Sequence, residues 1–276
     1  MAISRRRTGF KIAHTCTRKE LAAAPVPAGH GRWSPCSHTS VLECVDNQLN
    51  EMKLKVIDER IQLTQDKSRF FGTLTVEGKG TNGDSYNLAV GVRNSNDKAL
   101  AAGLAFGTRV VVCSNLSFSG DIVLKRKHTI GIHADMPLLI REAMVVGVDV
   151  FTRYNRELFS SLSERELKSL DVNDIIVEGL RKKVYEANSI PAVLKHWDTP
   201  EHKEFAPRTA YSLYNAVTSA LAETTKNPFT HDDRTQRLTR MFGERFDIKS
   251  PESMLPKGMS TKNFSSSIRA AALSNR

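Results

Sequence analysis

The chain has 276 residues, of which 40% are apolar and 25% charged, and it carries a formal net charge of +10. That composition is typical of a globular protein and excludes a fibrous or wholly disordered one, and the length supports one large domain or two modest ones. No apolar run approaches the roughly 20 residues that span a bilayer, and no hydrophobic segment follows the basic start MAISRRRTGF. Four cysteines without a C-x-x-C pair favour a reducing compartment, so we expect a cytoplasmic protein.

The positive charge is concentrated at the two ends of the chain. Residues 1–20 carry a net charge of +5 and residues 249–276 a net charge of +4, which leaves the segment between them almost neutral. This pattern argues against a folded body that is itself polycationic, and it favours basic arms that bind a polyanion such as nucleic acid. We expect the first arm, residues 1–35, to be flexible, because Pro and Gly in AAAPVPAGHG disfavour a regular element.

Residues 36–134 are predicted to form a strand-rich part that begins with one helix. The helix is expected over residues 39–52, with Ser40 and Glu43 as its capping box. Alternating apolar residues predict strands in LKVIDERIQLT, RFFGTLTVEG and YNLAVGVRNS, followed by TRVVVC and DIVLKRKHTIGI. The segment ALAAGLAFG between them is predicted to be helical or a loop. Four or five strands joined by short turns indicate an antiparallel or mixed sheet.

From Asp135 the apolar period becomes helical, so residues 135–248 are predicted to form helices that pack on the sheet. The first long helix is expected to open at Pro137 after an Asp135 cap, and the second at Asp171 or Asn173. Three further helices are expected in PAVLKHW, PRTAYSLYNAVTSALAETTKN and HDDRTQRLTRMFGERF. Residues 249–276 are rich in Ser and Pro and are predicted to be a flexible tail. Strands followed by helices indicate an α+β fold, in one compact domain with flexible basic termini.

Three groups of residues are candidates for chemistry or metal binding. Cys113 could be a nucleophile, but it ends a β-branched run without a local base, which favours a structural role. The imidazoles and thiols of HTC and HGRWSPCSH could bind zinc, although a spacing of one residue between ligands is poor for such a site. His128 and His133 would lie on opposite faces of a strand, which disfavours a joint metal site. We therefore predict no catalytic residue, no metal and no cofactor. The zinc candidates left open are His14, Cys16, His30, Cys36 and His38.

Basic residues near aromatic ones predict a surface that holds the phosphates of a single strand while its bases stack. A strand places two side chains of the KRK triplet on one face and one on the other, whereas the RKK triplet lies on a helix. A separate polar loop site is predicted at Asn94, Asn96, Ser114 and Asn115. The predicted nucleic-acid-binding residues are Arg5, Arg6, Arg7, Lys125, Arg126, Lys127, Arg181, Lys182, Lys183 and Phe118.

Three stretches, in this order, resemble a known family: WSPCSHTSVLECV, VRNSNDKALAAGLAFGTRVVVCSNLSFSG and RTAYSLYNAVTSAL. They are similar to the entry into the first helix, the NSHD-containing core and a later helix of the phage- and plasmid-like domain-of-unknown-function family 932. The resemblance covers roughly residues 32–245, with Asn96 where the pattern has His and Leu116 where it has Gly. It implies a phage, prophage or plasmid source, hence a bacterial host cytoplasm, and it implies no catalytic residues.

The function predicted from these features is non-catalytic binding of single-stranded DNA in the replication or recombination of a phage or mobile element. The alternative is a non-enzymatic protein that binds and inhibits or redirects a host factor, such as a defence or transcription component. An enzyme ranks third, because the chain has neither the phosphate-binding motif G-x-x-x-x-G-K-[ST] nor the dinucleotide-binding motif G-x-G-x-x-G. If the protein is an enzyme, acidic residues scattered along the sequence together with His38 would suggest a nuclease or another hydrolase. Self-association into a homo-oligomer is compatible with each of these functions.

Overall fold

The structure, a computed structural model, describes residues 13–77, 86–110, 116–117, 123–260 and 262–274. Its strands are β1 (Ala13–Thr15), β2 (Val56–Thr64), β3 (Arg69–Val76), β4 (Tyr86–Ser95), β5 (Ala102–Val110), β6 (Leu116–Ser117) and β7 (Val123–Arg126). They form one sheet in the order β1-β2-β3-β4-β5, and β6 and β7 both pair with the free edge of β5. Every strand pair is antiparallel, so of the two predicted sheet types, antiparallel and mixed, the sheet is antiparallel.

The second half of the chain is mostly helical, and together with the sheet this confirms the α+β fold. Among the described helices, none combines the length and the apolar character that crossing a membrane requires. The helices are α1 (Arg18–Ala22), α2 (His38–Glu51), α3 (Ile132–Ser163), α4 (Ser169–Arg181), α5 (Ile190–Asp198), α6 (Ala210–Thr224), α7 (Pro228–Arg245) and α8 (Phe264–Ser274).

One face of the sheet, which we call the inner face, packs against α2 and α3 and carries much of the core. Phe70 pairs with Leu63 on one side and with Asn94 on the other, so these three side chains lie on the same face. Alternate residues along each strand continue this face, and Phe106 on β5 is fully buried there against Phe151 of α3. Burial of this face explains why the alternating pattern of β2, β3 and β4 predicted those strands correctly.

The segment ALAAGLAFG is residues 99–107, and β5 contains its residues 102–107, so the prediction of a helix or loop was wrong for that part and correct only for the loop at residues 99–101. Its inward positions are Ala102, Leu104 and Phe106, all fully buried. Small residues occupy the positions between them, and Ala and Gly are poor indicators of a strand because they add little to the apolar alternation. β5 pairs with β4 over eight residues, and the backbone hydrogen bonds of this pairing stabilise a strand that its own residues favour only weakly.

Three helix starts also differ from the prediction. α2 begins one residue early, because Ser37 rather than Ser40 is its N-cap and accepts from Ser40 N. α3 begins at Ile132, a fully buried residue, so Pro137 lies inside the helix instead of opening it. α4 begins at Ser169, where the Asp171 side chain accepts from the Lys168 amide.

The described parts of the predicted arm (residues 1–35) and of the predicted tail (residues 249–276) each contain a helix with buried side chains. Near the N-terminus, α1 has a capping box of Thr17 and Glu20 and buries Leu21. Near the C-terminus, α8 buries Phe264 and Ile268 against α3 and β7. The Ser-rich composition concealed an apolar stripe at helical spacing.

Candidate nucleic-acid interface

Several loops meet at one end of the sheet, which we call the loop corner. The β2–β3 turn and the β4–β5 loop lie there because antiparallel strands bring alternate connections to the same end. The segment that precedes α2 joins them, because Ser34 N donates to the His128 carbonyl at 3.1 Å and Ile130 N to the Arg32 carbonyl at 3.2 Å. The loop corner comprises residues 30–38, 65–68, 94–101 and 125–131.

Asn94 holds the start of α2 against the end of β4. Its Nδ2 donates to the Cys36 carbonyl at 3.0 Å and to His38 Nδ1 at 3.0 Å. Because an amide nitrogen only donates, His38 Nδ1 accepts, and its protonated Nε2 donates to the Lys67 carbonyl at 3.1 Å. Burial lowers the pKa of His38, which keeps this neutral tautomer. Asn94 and His38 are therefore structural parts of the loop corner, with their hydrogen-bonding atoms used internally.

The described cysteines are unsuited to nucleophilic chemistry. Burial raises the pKa of Cys36 to about 11 and also raises the pKa of Cys16 and of Cys44. Their thiols are therefore protonated at neutral pH, whereas a nucleophile or a metal ligand needs the thiolate. The predicted site residues Arg5, Arg6, Arg7, Cys113, Ser114, Asn115 and Phe118 lie outside the described residues.

The zinc candidates do not converge. His14 is exposed on β1, where it pairs with Leu63, while both ring nitrogens of His38 are already engaged. No three ligand atoms of the candidate set gather within the described part of the chain. His128 and His133 are not on one strand, since His128 follows β7 and is buried while His133 is exposed in α3.

Two buried polar side chains of the loop corner, and one buried atom of the half-buried Trp33, have no hydrogen-bond partner. Asn96 is 5% exposed and neither atom of its amide is paired, and His128 is 6% exposed with both ring nitrogens unpaired. The buried Nε1 of Trp33 is also unpaired. Burial lowers the pKa of His128, and the nearby Arg126 adds to this effect, so the ring is neutral. A buried polar group without a partner costs about 1–3 kcal/mol, so these atoms are expected to be satisfied by a ligand or by water.

The loop corner also carries exposed cations, which come from its four separate segments. Lys98 Nζ lies 4.6 Å from the centroid of the Trp33 ring, a cation–π contact. The neighbouring Asp97 does not cancel them, because Arg69 Nε donates to it at 2.6 Å. Burial alone would favour the neutral acid, but hydrogen bonds from Ser95, Ala99 and Arg69 outweigh it and lower the pKa of Asp97. The exposed cations of the loop corner are Arg32, Lys67, Lys98, Lys125 and Lys127.

The KRK triplet divides as its strand pattern predicts. Lys125 and Lys127 are exposed, whereas Arg126 is 7% exposed and points to the inner face. Its Nη2 donates to Asp135 Oδ2 at 3.0 Å and its Nη1 to Thr129 Oγ1 at 2.8 Å, so Arg126 ties β7 to the start of α3. Arg126 is thus an internal ion-pair partner, and the two lysines are the members that face solvent.

The RKK triplet lies on a different surface, at the end of α4. Lys182 pairs with Glu178 at 3.3 Å and with Glu244, and the hydrogen bond to Glu244 raises the pKa of Lys182. Arg181 and Lys183 are exposed. Within the described residues, no hydrogen bond or ion pair connects this triplet to the loop corner.

The N-terminal segment reaches the sheet at the loop corner. β1 begins at Ala13, which pairs with Thr64 at the end of β2, so the first described residue lies at this end of the sheet. Prediction from sequence missed Trp33, Lys67 and Lys98, because their proximity depends on strand pairing. One signal was available: Lys67 and Lys98 both occupy connections that an antiparallel meander places at one end.

A model of one protein family, described as a domain of unknown function (DUF932), matches residues 28–242. The match spans the first segment of the loop corner, strands β2 to β7 and most of the helical part. No curated protein matches the chain, and no solved structure does. Since the match covers well over half of the 276 residues, the chain belongs to the DUF932 family.

Proposed function

We propose that the protein binds nucleic acid, preferably single-stranded DNA, through the loop corner and without catalysing a reaction. The observation that carries this proposal is the gathering of five exposed cations, from four segments, at the loop corner that also contains the unpaired polar atoms of Trp33, Asn96 and His128. Cations on separate loops suit a flexible backbone whose phosphates pass from one loop to the next. The source in a phage or mobile element, and a role in replication or recombination, are parts of the same proposal.

The unpaired atoms favour a single strand over a duplex. Trp33 Nε1 donates, the Asn96 amide donates and accepts, and the neutral His128 ring does both. Because these atoms are buried, an unpaired base would reach them only when the surrounding loops part; such donors and acceptors match the edge of an unpaired base, whereas duplex edges are read by a helix or ribbon inserted in the major groove. The loop corner presents no such protruding element among its described residues.

The test compares two pairs of lysine substitutions at opposite ends of the sheet. Lys98→Gln with Lys127→Gln removes two charges from the loop corner, and Lys53→Gln with Lys55→Gln removes two next to the other end of β2. Fluorescence anisotropy with a labelled single-stranded oligonucleotide, from about 50 to 200 mM salt, measures affinity and its salt dependence. We expect the first pair to reduce the slope of log K against log salt by about 1.4, since each lost phosphate contact contributes about 0.7.

The control pair is expected to leave the slope unchanged. Equal effects of the two pairs would show attraction by net charge alone, and absence of binding by the unaltered chain at about 50 mM salt would overturn the proposal. A duplex competitor that displaces the oligonucleotide as well as a single-stranded one would contradict the preference for single strands.

The alternative function, binding of a host protein, is favoured by a different feature. Leu170 and Val177 are 78% and 43% exposed and lie seven residues apart on α4, hence on the same side of the helix. Exposed apolar residues on one helix face suit a protein partner. Recovery of a host protein from nuclease-treated lysate by the unaltered chain, but not by a Leu170→Ser variant, would favour this alternative.

A further inference from the structure

A second polar site lies in the helical part, in a cleft between α5 and α6. His196, in the last turn of α5, is only 7% exposed, so packing holds its ring in place. Its Nε2 lies 2.8 Å from Glu223 Oε1, which comes from the last turn of α6. Glu201 follows α5 directly, and one ligand atom from each of the three residues lies within 4.8 Å of the others.

The local sequence explains how Glu201 reaches this position. α5 ends at Asp198, and Thr199 has a non-helical backbone (φ −133°, ψ 73°), after which Pro200 prevents continuation of the helix. The chain therefore turns at the end of α5, and both Pro200 and Glu201 line the cleft that contains His196. His202 lines the same cleft, so a second imidazole is available at its edge.

An imidazole nitrogen and two carboxylate oxygens are ligand types that divalent transition metals use in proteins. With metal–ligand distances of about 2.0–2.2 Å, two ligand atoms of a tetrahedral site are about 3.4 Å apart. The observed spacing requires only small adjustments, and the Glu223 side chain, 46% exposed, is free of the packing that would prevent them. The rigid His196 ring and the adjustable carboxylates together suit a site that closes around an ion.

A plain hydrogen bond between His196 and Glu223 would account for those two residues alone. It does not involve the second carboxylate, Glu201, which adds a third ligand atom within reach of the other two. Lys195 is a nearby cation, since its Nζ lies 3.9 Å from Glu223 Oε1 and its side chain is 66% exposed. We propose that His196, Glu201 and Glu223 bind a divalent transition-metal ion of the zinc and manganese class, in a site separate from the loop corner.

The test is titration of the purified, metal-free chain with Co²⁺, whose visible absorption reports coordination by nitrogen and oxygen, followed by displacement with Zn²⁺. We expect His196→Gln and Glu201→Gln each to weaken Co²⁺ binding at least about tenfold, because loss of a ligand should exceed the loss of a supporting residue. Glu186→Gln is the matched control, since Glu186 is an exposed carboxylate that pairs with Arg234 and is not one of the three residues of the cluster. Lys195→Met should raise the affinity roughly two- to fivefold, because it removes the cation that competes for Glu223.

Glu201 is exposed, so Glu201→Gln keeps the test decisive even if His196→Gln destabilises the fold, which circular dichroism would reveal. Absence of a Co²⁺ spectrum in the unaltered chain would overturn the inference, and so would a spectrum that survives Glu201→Gln unchanged. Neither outcome bears on DNA binding, because Lys98 and Lys127 are unaltered in these variants.

Discussion

At the scale of single residues, the two asparagines at the end of β4 have opposite energetic roles. The Asn94 side chain donates hydrogen bonds to a buried carbonyl and a buried imidazole. The side-chain amide of Asn96 makes no hydrogen bond, although it is nearly as buried. A buried polar group that is retained without a partner destabilises the free protein. Such a cost is expected where a ligand later supplies the missing hydrogen bonds.

This contrast predicts different effects of the same substitution at the two positions. Asn94→Ala leaves the Cys36 carbonyl and His38 Nδ1 without a donor, so it should lower the free energy of unfolding by about 1–3 kcal/mol. Asn96→Ala removes an unpaired buried amide and should leave stability unchanged or slightly higher. Urea denaturation of both variants and the parent chain gives the comparison. Equal losses would show that Asn96 is hydrogen-bonded in the free protein, which would weaken its assignment as a ligand contact.

At the scale of elements, the packing of α3 on β5 depends on the absence of a side chain at Gly147. A Cβ there would lie 2.2 Å from Phe106 Cε2, and Phe106 cannot easily move because it is fully buried against Phe151. The nearest atom to a Cβ at Gly243, on α7, would be Tyr154 Oη at 3.4 Å, an ordinary contact. A side chain at position 147 would therefore clash with Phe106, whereas position 243 has room for one.

Gly147→Ala should destabilise the protein by about 1–3 kcal/mol, because overpacking outweighs the gain of up to about 1 kcal/mol from helix propensity. Gly243→Ala is the control and should be neutral or stabilising by up to about 1 kcal/mol. Thermal or urea unfolding of the two variants measures the difference. A stable Gly147→Ala variant would mean that α3 can shift away from β5 at little cost.

Helices and strands could be predicted from sequence where one face of the element is buried and its apolar residues therefore recur at regular spacing, as in β2, β3 and β4. β5 was missed because Ala102 and Gly103 carry no strand signal, and α8 because serines mask the spacing of Phe264 and Ile268. The loop corner could be predicted only in part. The KRK triplet and Asn96 are visible in sequence, but the position of Lys98 over Trp33 follows from pairing between segments about 65 residues apart. The same holds for His196 and Glu223, which come from separate helices.

At the scale of the whole molecule, the net charge is less informative than its distribution. The chain carries +10, yet the described body pairs many of its cations with acids, as Arg18 does with Asp46 and Glu59. The remaining positive charge is therefore contributed by the loop corner and by the basic residues that precede Ala13 in the sequence. Ala13, the first described residue, pairs with Thr64 at the loop-corner end of the sheet.

This arrangement predicts that the N-terminal arginines and the loop corner act on the same bound strand. Replacement of Arg5, Arg6 and Arg7 by Gln should reduce the slope of log K against log salt by about 2, if each arginine contacts one phosphate. When these three substitutions are combined with Lys98→Gln and Lys127→Gln, the slope should fall by about 3.4 in total. The effects add because each lost phosphate contact releases fewer counterions independently of the others. Anisotropy titrations of the triple, double and combined variants with one oligonucleotide measure this. A combined variant no weaker than the double variant would show that the arginines make no phosphate contacts, and the interface would then be confined to the loop corner.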